Sequence, residues 1–192
     1  MLFAGLALVY LVSCEKDPID PNPVDPNPVD TTTNGGSDST NIDTVMVLSL
    51  SMEIEHLIFE KTNALRDSIG LAALTRTEDG DTLAGLHSFN MVEYDFFSHT
   101  DHLGRTPSDR ANDLSISFSS LAENIVYVPW FSNVSSCGDT RSAEAMSNCM
   151  MNAWENSSGH YSNIIGAYDY IGIGVYYDDD SIFYATQVFY KN

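Results

Sequence analysis

Two hydrophobic periods divide this chain, and their order constrains the fold more than any other feature. From Val45 to about Ile69, Leu50, Ile54, Leu57, Ile58 and Leu65 recur every 3.6 residues, with Glu53, Glu55, Glu60, Lys61 and Arg66 elsewhere, which predicts an amphipathic helix stopped by Gly70. A second helix is expected from Asp81 or Thr82 to about Tyr94, with Leu83, Leu86, His87, Asn90, Met91 and Tyr94 on one face, and another from about Arg141 to Glu155. The period then changes. Tyr170 to Tyr177 (YIGIGVYY) and Ile182 to Tyr190 (IFYATQVFY) are β-branched and aromatic runs separated by Asp178-Asp179-Asp180-Ser181, the pattern of a hairpin with a polar, solvated turn. Glu123 to Val128 reads as a short strand ended by Pro129. Helices early and strands late predict an α+β domain with an antiparallel sheet and exclude a βαβ fold.

The folded domain is assigned to residues 45–192, because what precedes it has a different composition. Residues 1–13 (MLFAGLALVYLVS) form an uncharged apolar run, too short for the ~20 residues of a membrane-spanning helix, and read as a signal-peptide core. Leu11-Val12-Ser13-Cys14 resembles a bacterial lipobox, in which the cysteine is diacylated and becomes the mature N-terminus; the alternative is ordinary signal-peptidase cleavage with an incidental thiol. Lipidation of Cys14 implies a membrane anchor worth about 0.8 kcal/mol per buried CH₂. The Cys14-Glu15-Lys16-Asp17 start is similar to export signals that place Gram-negative lipoproteins on the outer face of the outer membrane, so an outer-membrane, cell-surface location is expected. Residues 14–44 carry a tandem Asp-Pro-Asn-Pro-Val and a Gly-Ser stretch, too poor in apolar residues to order themselves, and are expected to be a tether.

Charge removes one class of partner. The chain has 27 acidic and 8 basic residues, a formal net charge of −19, which repels phosphate backbones and excludes nucleic acid. The acidity belongs to the domain as well as the tether, since residues 45–192 hold 20 acidic and 7 basic side chains. Cys137 and Cys149 are the thiols that remain once Cys14 is lipidated, and an oxidising compartment favours a disulfide between them over two separate thiols.

Candidate chemistry centres on histidine. His87 shares the apolar face of its helix with Leu83 and Met91, which favours a core or supporting role over a ligand. His99, after Phe96-Phe97-Ser98, and His160, in the polar turn Asn156 to His160, both lie beyond helical patterns. Glu123 opens a strand, an edge position from which a carboxylate faces a cleft. Asp109-Arg110 reads as a helix cap or a salt bridge, and no Gly-x-Ser-x-Gly elbow, P-loop, dinucleotide fingerprint or His-Glu-x-x-His run occurs.

The order of these fragments resembles the CAP superfamily (SCP-like; cysteine-rich secretory protein, antigen and pathogenesis-related), in its bacterial branch. The resemblance runs from about Leu57 to Phe189, through Thr62-Asn63-Ala64-Leu65-Arg66, His87-Ser88, Phe96-Phe97-Ser98-His99, Gly104-Arg105-Thr106-Pro107, Ala122-Glu123-Asn124-Ile125, Trp154, Ser158-Gly159-His160, Ile171-Gly172-Ile173-Gly174-Val175 and Thr186-Gln187-Val188-Phe189. It implies a three-layer α-β-α sandwich with a central antiparallel sheet, and a large cleft able to hold a divalent metal.

Eukaryotic members line that cleft with two histidines and two glutamates. Here His99 and Glu123 match one of each, the second glutamate falls near Ser157 and the second histidine at Tyr184, while the bacterial pattern offers His160. The resemblance therefore implies His99, Glu123 and His160 as a set for a metal, zinc first, with His87, Glu155, Ser157 and Tyr184 lining the cleft. The alternative is that the three form a hydrogen-bonded cluster holding loops over the sheet. Three functional readings follow: a surface-tethered module binding a small apolar molecule, a peptide or a wall component; a metal-assisted extracellular hydrolase acting on peptide bonds or peptidoglycan; and a structural or adhesive domain with a vestigial cleft. The family has no settled catalytic activity, so the binding module leads.

Overall fold

A computed structural model describes residues 39–192, with side chains from Met46 onward; the expected signal segment 1–13, the lipidated Cys14 and most of the expected tether lie outside the described residues. The elements in chain order are α1 (Ser39–Ser68), β1 (Thr75–Arg76), α2 (Glu78–Glu93), α3 (Pro107–Asp113), β2 (Ser120–Pro129), α4 (Ala143–Glu155), α5 (Ser158–Ile164), β3 (Tyr170–Tyr177) and β4 (Ile182–Lys191). α1 begins inside the stretch read as tether, where no proline or glycine follows Gly36 to break a helix.

The four strands lie in the order β1-β3-β4-β2. β2, β3 and β4 pair antiparallel, as the hairpin pattern requires, but β1 joins β3 in parallel through Thr75 and Arg76, so the sheet is mixed rather than wholly antiparallel. Two residues leave no readable period, and α2 then carries the chain away from that edge.

Alternation along the strands sorts the two faces. Phe183, Ala185 and Phe189 of β4, with Ile171, Ile173 and Val175 of β3, are buried against Ile54 and Ile58 of α1 and Met146, Met150 and Trp154 of α4. Each such large side chain contributes about 1.5–3 kcal/mol on burial. The opposite face receives α2, through Leu83, Ala84 and Val188. Backbones touch there: a Cβ on Gly172 would collide with Gly80, and one on Gly174 with Gly85. Ser88 Oγ seals the contact, donating to the Gly174 carbonyl at 2.9 Å and sharing a hydrogen bond with Thr186 Oγ1 at 2.8 Å. Helices on both faces of one sheet make the three-layer α-β-α sandwich.

α2 starts three residues earlier than its apolar pattern shows, because Thr77 caps it by accepting from the Gly80 N–H and Glu78, Asp79 and Asp81 sit in its first turn. β2 forms the far edge of the sheet, and side chains cap its outward carbonyls: Asn163 Nδ2 donates to Glu123 O at 3.3 Å, Trp154 Nε1 to Ile125 O at 3.1 Å and Thr140 Oγ1 to Pro129 O at 2.6 Å. Cys137 and Cys149 are joined in a disulfide that ties the loop before α4 to that helix.

Candidate functional site

The site is built around one buried carboxylate. Glu123 points from β2 to the α2 side of the sheet, with its side chain 1 % exposed. Its Oε2 accepts from Arg110 Nη2 at 2.5 Å, and its Oε1 accepts from His99 Nδ1 at 2.9 Å, with His87 Nε2 at 3.7 Å from the same oxygen. A buried carboxylate is costly unless a cation and donors meet it, and here both are present.

Arg110 comes from α3, a two-turn helix with Pro107 in its first turn and a reciprocal capping box between Thr106 and Asp109. The expectation for Asp109-Arg110 is thus met in both halves, Asp109 capping and Arg110 in an ion pair. The same guanidinium donates through Nη1 to the carbonyls of His99 at 2.8 Å and Arg105 at 3.0 Å, which fixes the loop carrying His99. Asp101, at the base of that loop, accepts from the Leu103 and Arg105 N–H groups and the Arg105 guanidinium. Burial pushes its carboxyl up, but these hydrogen bonds outweigh burial and hold it below the usual aspartate value.

A carboxylate only accepts, so His99 donates to it from Nδ1, while the ring itself is half-exposed. His99, Glu123, Pro107, Ser108, Leu121, Ala122 and Asn163 line an open depression of about 300 Å³. His87 lies behind it, fully buried, donating through Nε2 to the Ser98 carbonyl at 3.0 Å, while its Nδ1 has no partner among the described residues. Burial lowers its pKa, and so does the charge of Arg110, against the raising effect of Glu123. It is a supporting residue rather than a wall of the depression.

His160 lies in α5 and not on a flexible turn. Ser157-Ser158-Gly159 reads as a breaker, yet Ser157 occupies the N-cap position and the helix is held by contacts from elsewhere in the chain. Asn124 Nδ2 donates to the His160 carbonyl at 3.1 Å, Asn163 Nδ2 donates to Asn124 Oδ1 at 2.8 Å, and Arg66 Nη1 donates to the Ile164 carbonyl at 2.7 Å. Gln187 extends this network, accepting from Asn124 at 3.2 Å and donating to Thr62 at 2.9 Å. Burial, and after it the presence of His99, lower the His160 pKa. Ser157 is half-buried and Glu155 exposed; Tyr184 joins an aromatic group with Phe97 and Tyr127.

As placed, the expected metal set does not fit a metal. Among the described residues no group of three or more His, Cys, Asp or Glu side chains converges on one point, and both Glu123 oxygens already accept from cationic or imidazole donors. The hydrogen-bonded cluster that forms joins His99, Glu123 and Arg110, whereas His160 is tied in through its backbone carbonyl and its Nδ1 has no partner among the described residues. Sequence reasoning did not place Arg110 in the site, because only the fold brings it across to Glu123.

A sandwich with an edge-strand glutamate, a histidine held on it and α5 folded over the Asn124 side defines a CAP-type domain. The chain belongs to the cysteine-rich secretory protein (CAP) family, whose model matches residues 59–189. It is similar to the uncharacterized protein YkwD of Bacillus subtilis (strain 168), 30% identical over 154 residues that cover 80% of this chain and 52% of that protein. The uncharacterized membrane protein YlbC of the same organism is 29% identical over 122 residues, 63% of this chain and 31% of YlbC. The chain thus spans about half the length, or less, of these curated relatives. Among solved structures, an extracellular SCP-domain protein from Bacillus anthracis str. Ames aligns with a TM-score of 0.60 at 22% identity, covering 83% of this chain and 45% of that one. An outer surface protein from Borrelia burgdorferi also aligns with a TM-score of 0.60 at 22% identity, covering 73% of this chain and 93% of that protein.

Proposed function

We propose that this protein is an extracytoplasmic, membrane-anchored CAP-domain binding module. Its depression around His99, Glu123 and Asn163 takes a small apolar ligand, a peptide or a wall component. The observation that carries the reading is the half-exposed imidazole of His99, held through Nδ1 by a carboxylate that is itself fixed by Arg110. A half-exposed ring locked in one orientation loses little entropy when a ligand hydrogen-bonds to it or packs on it. The apolar neighbours Pro107, Leu121 and Ala122 supply contact area.

Several observations support the location. The Leu11-Val12-Ser13-Cys14 sequence fits lipidation, the disulfide suits an oxidising compartment, and two structural neighbours are described as an extracellular and an outer surface protein. Among the described residues no helix is long and apolar enough to cross a membrane.

Two measurements test this. Cys14→Ser should move the protein from the membrane fraction to the soluble fraction; unchanged fractionation would remove the lipid anchor. Calorimetric titration with soluble peptidoglycan fragments, a tripeptide and dodecanoate should show saturable binding to at least one probe, lost in His99→Ala. Binding that is equal in His99→Ala, or absent for all three probes, would discard the depression as the ligand site.

A further inference from the structure

A second surface lies at the hairpin end of the sheet, outside the His99 depression. The register puts Tyr176, Tyr184 and Tyr127 side by side across β3, β4 and β2, all on the α2 face. Phe97 meets Tyr127 edge-on at 4.9 Å between ring centroids, and Phe89 meets Tyr176 edge-on at 5.1 Å. Tyr127 and Tyr184 are 5.8 Å apart and tilted by 34°. This is an aromatic row left open to water: Phe97 and Tyr127 are each 46 % exposed and Tyr176 is 41 % exposed.

Acids rim that row. Asp178, Asp179 and Asp180 form the turn joining β3 to β4, two residues from Tyr176, and Asp95 follows α2. Burial, then the charges of Asp178 and Asp95, raise the pKa of Tyr184 at the middle of the row. Among the described residues the cations are committed elsewhere. Lys61 pairs with Glu144, Arg76 with Glu55 and Asp81, Arg105 with Asp101 and Asp113, Arg110 with Glu123 and Arg141 with Asp139. Arg66 is buried on main-chain carbonyls, and Lys191 closes β4 at the end away from the turn.

We infer that this aromatic row with its acidic rim is a docking surface for a cationic polypeptide segment, one rich in lysine or arginine. Charge complementarity names the occupant. Ring faces attract ammonium and guanidinium groups, and the long side-chain stems lie along exposed aromatic surface. The rim adds a long-range pull that salt weakens.

The probe is fluorescein-labelled octalysine, followed by anisotropy against the full chain, with fully acetylated octalysine as its neutral partner. Expected are saturable binding of octalysine, loss of binding on acetylation, and weakening as salt rises. Phe97→Ser with Tyr127→Ser should weaken binding about tenfold by removing two ring faces. Asp95→Asn with Asp180→Asn, which removes charge without apolar volume, should weaken it several-fold. The control is Glu78→Gln with Asp79→Asn, the same charge loss at the other end of α2, and it should change little. Melting curves establish that each variant is folded; the aspartate pair keeps the test decisive should the aromatic pair not fold. Equal weakening by the control and the rim variants would show attraction to net acidity alone and overturn the inference. So would salt-independent binding of a neutral oligosaccharide to the same rings with none of octalysine.

Discussion

Replacing Arg110 by methionine isolates the interaction on which the candidate site depends. The guanidinium is 4 % exposed and its partner carboxylate 1 % exposed, so water cannot take over when one is removed. Breaking a buried pair on one side costs about 3–5 kcal/mol, mostly from the charge left behind. The carbonyls of His99 and Arg105 also lose their donor. For a domain of this size each kcal/mol lowers the melting temperature by about 2–4 °C, so Arg110→Met should melt roughly 6–20 °C lower. Arg110→Met combined with Glu123→Leu removes both charges at similar volume and should recover at least half of that loss. The assay is thermal unfolding followed by circular dichroism on the wild type, both single variants and the double variant. A single variant melting within about 2 °C of wild type, or a double variant whose loss is the sum of the two, would refute the account of a mutually dependent buried pair.

Both His87 and His160 are held below the usual histidine value of 6.5, burial being the first cause for each. The unfolded chain therefore takes up protons that the folded chain refuses once the pH falls below 6.5, and stability should decline from there towards the folded pKa values. Melting temperatures between about pH 7.5 and 5.5 should fall, and the slope should flatten in His87→Gln with His160→Gln; an unchanged slope assigns the effect to other groups. Gly172→Ala should cost about 3 kcal/mol or leave no soluble folded protein, because its Cβ meets the Gly80 backbone, which no side chain can relieve. Gly159→Ala, which has open space within α5, should be neutral or slightly stabilising, and chemical denaturation of the two measures the contrast. Zinc at about a hundredfold excess over a micromolar site would add about 2.7 kcal/mol of stability if it bound the folded state alone. With Glu123 already engaged, the melting temperature should instead be the same in zinc and in chelator, and a rise of several degrees abolished by His160→Ala would restore the metal reading.

Much of the architecture was readable because it rests on local periodicity. Ile54 and Ile58 mark the buried stripe of α1, and the alternation in Tyr170 to Tyr177 and Ile182 to Tyr190 marks the hairpin. What escaped depends on distant partners. α5 has turn-forming residues at its start and is held by Asn124 and Arg66, which are remote in sequence. β1 is two residues long and exists because Ile171 and Tyr170 of β3 lie beside it. His99 and Glu123 were legible as a pair through their family order. Arg110 reads as an ordinary helix residue until α3 is laid across the sheet and its guanidinium reaches the carboxylate.

The capped edge of β2 bears on how such domains behave when many sit close together. A ten-residue edge strand is a template on which another chain can add, strand upon strand. Asn163, Trp154 and Thr140 commit their donors to three of its outward carbonyls, two of them reaching in from helices that physically cover the strand. A neighbouring copy arriving edge-on finds acceptors already engaged and side chains in the way. A covered edge and an acidic surface both oppose the growth of a sheet between crowded copies, and Asn163, which ties α5 to Asn124, also closes part of that edge.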